Sequence, residues 1–286
     1  MTRKELLADL AIKVYNQIDK YHRLFPGGID QLIDINGVKI WINKLEKGGR
    51  RYLVHHNEAI IPVYRLIKEE YNPTLILDIG ANYGFISAVM HKYMPDSKII
   101  AVETNKKLIP YLKRNFLLNG IDGLVLNAMA GRENCGEHDF YINPRSSMDS
   151  RVVGKNKWKK QPVDSVSIDF LLKGKSGPFF IKIDTQGFEE HILQGAESTL
   201  SSCSNWIIKM EFCPVLFEHH GTKTGELLSW LIDKYDVAEI TDIPFKSKSL
   251  SSVFENKLNH NDIDDFIKYI KMQRENEIGW GDLLVR

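Results

Sequence analysis

Cysteine is scarce in this chain, three in 286 residues, and Cys135, Cys203 and Cys213 stand far apart with no CxxC pair. That spacing argues against both a disulfide framework and a zinc site and leaves buried thiols as the reading. No apolar run reaches the roughly 18 to 20 residues needed to span a bilayer. An excess of one charge is missing as well. The 38 basic and 37 acidic residues leave +1, so no global field draws the chain to nucleic acid or an anionic membrane. The opening MTRKELLADLAIKVYNQIDKY mixes acids with bases and lacks a continuous apolar centre ahead of a small-residue cleavage site. A secretory leader is therefore not expected, and the cytoplasm is the expected compartment. Internal repeats and low-complexity tracts are absent too.

What is present is an ordinary globular composition, 43% apolar and 26% charged, long enough for one large domain or two small ones. Leu6, Leu7, Leu10, Val14, Ile18 and Tyr21 recur at helical spacing and predict an amphipathic helix over 4–22. Ile33, Ile35, Val38, Ile40 and Ile42 flank Asn36-Gly37, a pair that tolerates the positive φ of a tight hairpin turn. A second helix over about 58–71 should stop at Asn72-Pro73, because proline pushes the preceding residue out of the α region. These elements make residues 1–72 an N-terminal helix and hairpin extension, the expected surface for any self-association. Residues 73–286 then form the main domain.

From Thr74 strands and helices alternate: TLILDIG, GFISAVMHKYM, KIIAVET, KKLIPYLKRNFLLN, GLVLNAMA, then PFFIKIDT, FEEHILQGAESTLSS, NWIIKMEF, TGELLSWLIDKY, VAEITDI and a final DLLVR. That order predicts an α/β, doubly wound, mostly parallel sheet of Rossmann-like type, with ligands outside the carboxyl ends of the strands. Asp78, Glu103, Asp184 and Glu211 all fall there. The first strand runs into Asp78-Ile79-Gly80-Ala81-Asn82-Tyr83-Gly84 and then directly into a helix, a glycine turn in which Gly80 and Gly84 are expected to let backbone approach a ligand. The turn lacks the middle glycine of GxGxxG and the lysine of GxxxxGK[ST], so it suits neither a dinucleotide nor a P-loop. Glu103, about 20 residues beyond, is positioned to accept hydrogen bonds from both ribose hydroxyls of an adenosine. An adenosine that also carries a cation, S-adenosylmethionine, satisfies Glu103 and Asp78 together.

DIGANYGFIS, AVET and KIDTQGFEEHILQGAE, in that order, resemble the FkbM-type S-adenosylmethionine-dependent methyltransferases over about Leu75 to Phe217. The resemblance implies a class I methyltransferase fold and O-methylation in polysaccharide or secondary-metabolite biosynthesis. It also implies that Asp78, Gly80, Ala81, Asn82 and Gly84 surround the methionine part of the cofactor, that Glu103 holds the ribose, and that Asn127, Ala128 and Met129 lie near adenine. Thr104 stands where many relatives carry proline, and Thr185-Gln186 where they more often carry Val-Glu.

Methyl transfer from a sulfonium needs alignment above all, and a hydroxyl acceptor also needs its proton removed. Asp184 is the expected base, with Lys182, two residues before it on the same strand face, keeping it ionised. Glu211, at the end of the neighbouring strand, is the second catalytic or substrate-binding candidate. Asp184 and Glu211 could instead hold a divalent cation, but no metal is predicted. Glu189 opens a helix, where its charge suits the dipole. His219 and His220 follow in a loop, while His55-His56 has no partner motif. HDFYINPRSSMDSRVV resembles the family's insertion, which brings Ser146 and Ser147 over the site. RVVGKNKWKK, five basic residues and Trp158 in ten, reads either as a solvated loop or as a contact for phosphates or a stacked base. The expected partner is a small-molecule or glycan acceptor. A nucleic acid is the alternative, disfavoured by the balanced charge.

Overall fold

Asn36 and Gly37 both adopt left-handed backbone, φ 52° and 81°, and this two-residue turn joins β1 (Asp30–Ile35) to β2 (Val38–Asn43) as an antiparallel hairpin. The structure is a computed structural model that describes residues 30–54, 61–134, 136–155, 157–240, 249–273 and 279–286. The helix expected over 4–22, His55-His56 and Cys135 lie outside the described residues. After the hairpin comes α1 (Lys47–Val54), which the sequence reading did not anticipate, and then α2 (Ile61–Leu66). A π-helical turn (Ile67–Tyr71) extends α2 and stops at left-handed Asn72, whose N–H caps the Ile67 carbonyl just before Pro73.

The main sheet begins with β3 (Leu75–Ile79), α3 (Phe85–Tyr93), β4 (Lys98–Val102), α4 (Ile109–Leu118) and β5 (Gly123–Leu126). An insert follows: β6 (Met129–Ala130), β7 (Glu137–Ile142) and β8 (Lys159–Val166) form a separate three-stranded sheet, with a 3-10 turn at Ser147–Asp149. The chain returns through α5 (Ile168–Leu172), β9 (Phe179–Ile183), α6 (Glu189–Gln194), α7 (Glu197–Ser202), β10 (Trp206–Phe212), α8 (Pro214–His219), α9 (Thr224–Lys234) and β11 (Val237–Glu239). Helices α10 (Leu250–Phe254) and α11 (Ile263–Met272) precede the last strand, β12 (Gly281–Val285).

The seven strands stand in the order β11-β12-β10-β9-β3-β4-β5, parallel except β12, which is antiparallel to both neighbours. The chain winds outward from β3 to β5, then restarts at β9 on the other side of β3. That reversal opens a crevice at the carboxyl ends of β3 and β9. All five residues of β3 and of β9 are buried, which explains their near-continuous apolar runs. Their side chains alternate between two cores. Ile76 and Phe180 pack with Ile40, Ile42 and Tyr64 of the N-terminal segment, while Leu77, Ile79, Ile181 and Ile183 face the opposite layer.

Candidate active site

The turn after β3 is built by backbone crowding. Gly80 has φ +77°, and a Cβ there would stand 1.9 Å from the Asp184 carbonyl oxygen, so only glycine lets the ends of β3 and β9 meet. Gly84, φ +81°, would drive a Cβ to 2.5 Å from Leu112 Cδ1 of α4. At Gly80 the protein's own backbone thus excludes a side chain, a reason for glycine beside the expected approach of a ligand, whereas at Gly84 the obstacle is a movable leucine methyl and the left-handed φ. Asn115 of α4 secures the turn from behind, donating to the Tyr83 carbonyl (2.8 Å) and the Trp41 carbonyl of the hairpin (3.0 Å).

Asp78 supports the turn from beneath. It is fully buried opposite Lys182 in the parallel β3 and β9 register, 3.1 Å from the Lys182 ammonium, and it accepts the Ser87 hydroxyl. Lys182 also donates to the Gly80 carbonyl (3.0 Å) and lies 3.6 Å from Asp184. Burial alone would pull the Lys182 ammonium down, but Asp78 and then Asp184 outweigh it and hold the group charged. Asp78 thus faces a lysine inside the protein and orients the turn from beneath.

Glu103, at the end of β4, accepts the Asn82 N–H (2.8 Å) on one carboxylate oxygen and the Asn105 N–H (2.6 Å) on the other. Burial raises its pKa to about 7 against the pull of those two bonds. A carboxylate has about four acceptor positions, so two remain for a ligand's hydroxyls. Beyond β5 the Asn127 amide donates to the Glu103 and Thr104 carbonyls (2.9 and 3.0 Å) and ties strand ends together. Met129 packs with Phe140, Ile142 and Val163 in the insert's small core, and Ala128 is buried against the main sheet. Met129 takes this place because β6 leaves the main sheet to pair with β8.

On the acceptor side, Gln186 takes φ +62° and its amide reaches both Glu211 (3.0 Å) and Asp184 (3.5 Å), bridging the ends of β9 and β10. Glu211 is pushed well up by burial and then by Asp184 and Glu189, which favours its protonated form. Asp184 is the more open of the two, its side chain 43% exposed. Glu189 is fully buried and accepts the Thr185 N–H (2.8 Å), the Thr185 hydroxyl (3.0 Å) and the Gly187 N–H (2.9 Å). It shapes the turn and turns away from solvent, with burial lifting its pKa to about 7. His220 lies under that turn, its Nε2 buried without a protein partner, and burial with the nearby Arg151 charge lowers it to about 4. His219 is exposed. Among the described residues no group of three or more histidines, cysteines and carboxylates is set to hold a metal ion.

The insert covers this crevice from above. Ser147 accepts the Asn82 amide (3.4 Å), and Gln161 of β8 donates to the Thr104 carbonyl (2.7 Å). Of the basic run, Lys160 pairs with Asp139 and Arg151 stands over Trp158, 5.4 Å from the ring centre. The sequence reading missed Glu46, whose carboxylate reaches Tyr83 and Ser147 from the N-terminal segment. Glycines at 48 and 49 and the polar run around them conceal a helix there.

The family model described as "Methyltransferase FkbM domain" matches residues 78–239. Among characterised proteins, the Ribosomal RNA small subunit methyltransferase G of Lactococcus lactis is 26% identical over 211 residues, covering 73% of this chain and 83% of that protein. Its namesake from Lactobacillus acidophilus is 22% identical over 200 residues, 69% of this chain and 79% of that protein. Among solved structures, the Pyrococcus abyssi tRNA (uracil-54, C5)-methyltransferase in complex with S-adenosyl-L-homocysteine aligns at a TM-score of 0.45 with 12% identity, over 90% of this chain and 43% of that one.

Proposed function

The chain belongs to the FkbM methyltransferase family, whose donor is S-adenosylmethionine, and on that premise we propose that it methylates a hydroxyl of a sugar, glycan precursor or related secondary metabolite. The residues present fit the donor. Glu103 keeps two acceptor positions free at the end of β4 and would hold the ribose. The turn from Gly80 to Gly84 would carry the methionine part, and Asp184, its side chain 43% exposed, stays open to the acceptor. When bound, the cofactor supplies a methyl already activated on a cationic sulfur.

The remaining chemistry falls to this chain's side chains. The observation that carries the acceptor reading is the pair Asp184 and Glu211, bridged by Gln186 at the mouth of the crevice. Gln186 fixes the spacing of the two carboxyls, and the Lys182 ammonium lies 3.6 Å from Asp184. Asp184 then accepts the proton of the acceptor hydroxyl as the new carbon–oxygen bond forms. Glu211, whose protonated form burial favours, donates to a neighbouring hydroxyl and sets the acceptor's orientation. A wall of carboxyls suits a polyhydroxylated neutral acceptor and repels a phosphodiester.

The test is a mass-shift screen of hydroxylated acceptors with purified protein and S-adenosylmethionine. A gain of one methylene on a sugar hydroxyl supports the reading, and turnover of RNA with no sugar product refutes it. RNA is the second reading, favoured by the Arg151 guanidinium 5.4 Å from the Trp158 ring centre beside exposed Lys159. It predicts binding that weakens steeply with salt.

A further inference from the structure

The nucleotide turn has an outer wall made by residues ahead of the matched segment 78–239. Just past β2, Glu46 accepts five hydrogen bonds: from the N–H groups of Gly48 (2.8 Å) and Gly49 (2.7 Å), the Tyr83 hydroxyl (3.1 Å), and the N–H (2.6 Å) and hydroxyl (3.1 Å) of Ser147. Lys47 adds a backbone bond to the Arg145 carbonyl (3.0 Å). One carboxylate therefore joins α1, the turn and the insert. The fit is close enough that a Cβ on Gly48 would meet Ser147 Oγ at 2.5 Å, and one on Gly49 the Asn43 carbonyl at 2.4 Å.

From the helix so anchored, Tyr52 is buried against the turn. Its ring stands edge-on to Tyr83 (5.9 Å between centres) and tilted on Phe85 (5.4 Å), the two residues that flank Gly84. Burial raises the phenol's pKa, and the fields of Asp184, Asp78, Glu46 and Glu103 raise it further. Those four carboxylates come from the ends of β9, β3, β2 and β4, so Tyr52 stands where the strand ends converge. An aromatic ring there offers a flat, low-entropy contact surface, and its face attracts a cation.

We propose that α1 completes the cofactor site, with the Tyr52 ring packed against the methionine arm of the bound cofactor and Glu46 as the positioning residue that holds α1 and Ser147 over it. The inference rests on the S-adenosylmethionine reading of the turn. Two ligands separate the two ideas: S-adenosylhomocysteine carries the amino-acid arm, and 5′-methylthioadenosine lacks it. Calorimetric titration should show Tyr52→Phe within about threefold of wild type for both. Tyr52→Ala and Tyr52→Leu should weaken S-adenosylhomocysteine about tenfold or more, with 5′-methylthioadenosine within about threefold. Glu46→Gln should give the same selective loss, and Glu46→Asp should regain part of it. Retained binding of 5′-methylthioadenosine certifies the fold, and Tyr52→Leu decides if the alanine variant does not fold. Equal losses for both ligands, or none for either, overturn the role of α1 while leaving the cofactor reading standing. Wild-type protein that binds neither ligand overturns the cofactor reading and this inference with it.

Discussion

Glu103 makes cofactor affinity depend on pH, with a sign and size that follow from its surroundings. Burial brings its pKa to about 7 in the free protein, so the carboxyl changes charge in the neutral range. Only the ionised form offers acceptor positions to two ribose hydroxyls while still holding the Asn82 and Asn105 N–H groups. Binding therefore favours the charged form, and affinity falls as pH falls through 7. With that pKa about nine-tenths of the molecules are ionised at pH 8 and about one-tenth at pH 6, so the Kd for S-adenosylhomocysteine should rise about tenfold across that interval, near 1.4 kcal/mol. Titration at pH 6 in buffers of different ionisation enthalpy should register release of nearly one proton per ligand bound. Glu103→Gln removes the titration, so its affinity should be weaker at pH 8 and flat in pH. A flat wild-type profile, or a slope that survives in the Glu103→Gln variant, refutes the reasoning.

Asp184→Asn should bind cofactor normally and lower kcat by about 10² to 10⁴, read in single-turnover assays; unchanged turnover removes Asp184 as the base. Lys182→Met leaves Asp78 buried without its partner and should cost about 3 to 5 kcal/mol in urea unfolding, much of it regained when Asp78→Asn is added. Gly80→Ala should be far more damaging than Gly84→Ala in thermal melts. The first Cβ meets a backbone carbonyl at 1.9 Å, and the second meets a leucine methyl at 2.5 Å that Leu112→Ala would withdraw.

Elements that a local pattern specifies were legible in the sequence. Asn36-Gly37 announced the hairpin, Asn72-Pro73 stopped the second helix, and the near-continuous apolar runs LILDI and FFIKI marked strands of the parallel sheet. What stayed hidden depends on long-range register. Asp78 and Lys182 pair only because β9 enters the sheet beside β3, and no spacing along the chain carries that information. The same neighbour explains Gly80, whose need for a missing side chain comes from the Asp184 carbonyl. Helix α1 was concealed by Gly48 and Gly49, poor helix formers that this packing requires. By contrast α11 carries a local signal: Asn259 ahead of the helical stretch and Phe266 and Ile270 one turn apart, both buried.

The crevice gathers five carboxyl groups around one lysine, and each is made tolerable by a different means. Asp78 is neutralised by Lys182, Glu103 and Glu189 are held by backbone N–H groups, Glu211 is driven toward its protonated form, and Asp184 keeps contact with solvent. Neutralising all of them would have required buried cations that a cationic ligand then had to displace. Leaving Asp184 partly open and Glu103 half-satisfied instead keeps unfilled acceptor capacity at the two points where the proposed acceptor hydroxyl and the donor's ribose would sit. The same arrangement discriminates by charge. A sulfonium-bearing donor enters a field that favours it, whereas the product, whose sulfur has become neutral, loses that attraction as soon as the methyl has left. Lys182 is what keeps this negative field from destabilising the strand ends that generate it, so the fold and the proposed chemistry meet in a single buried ammonium.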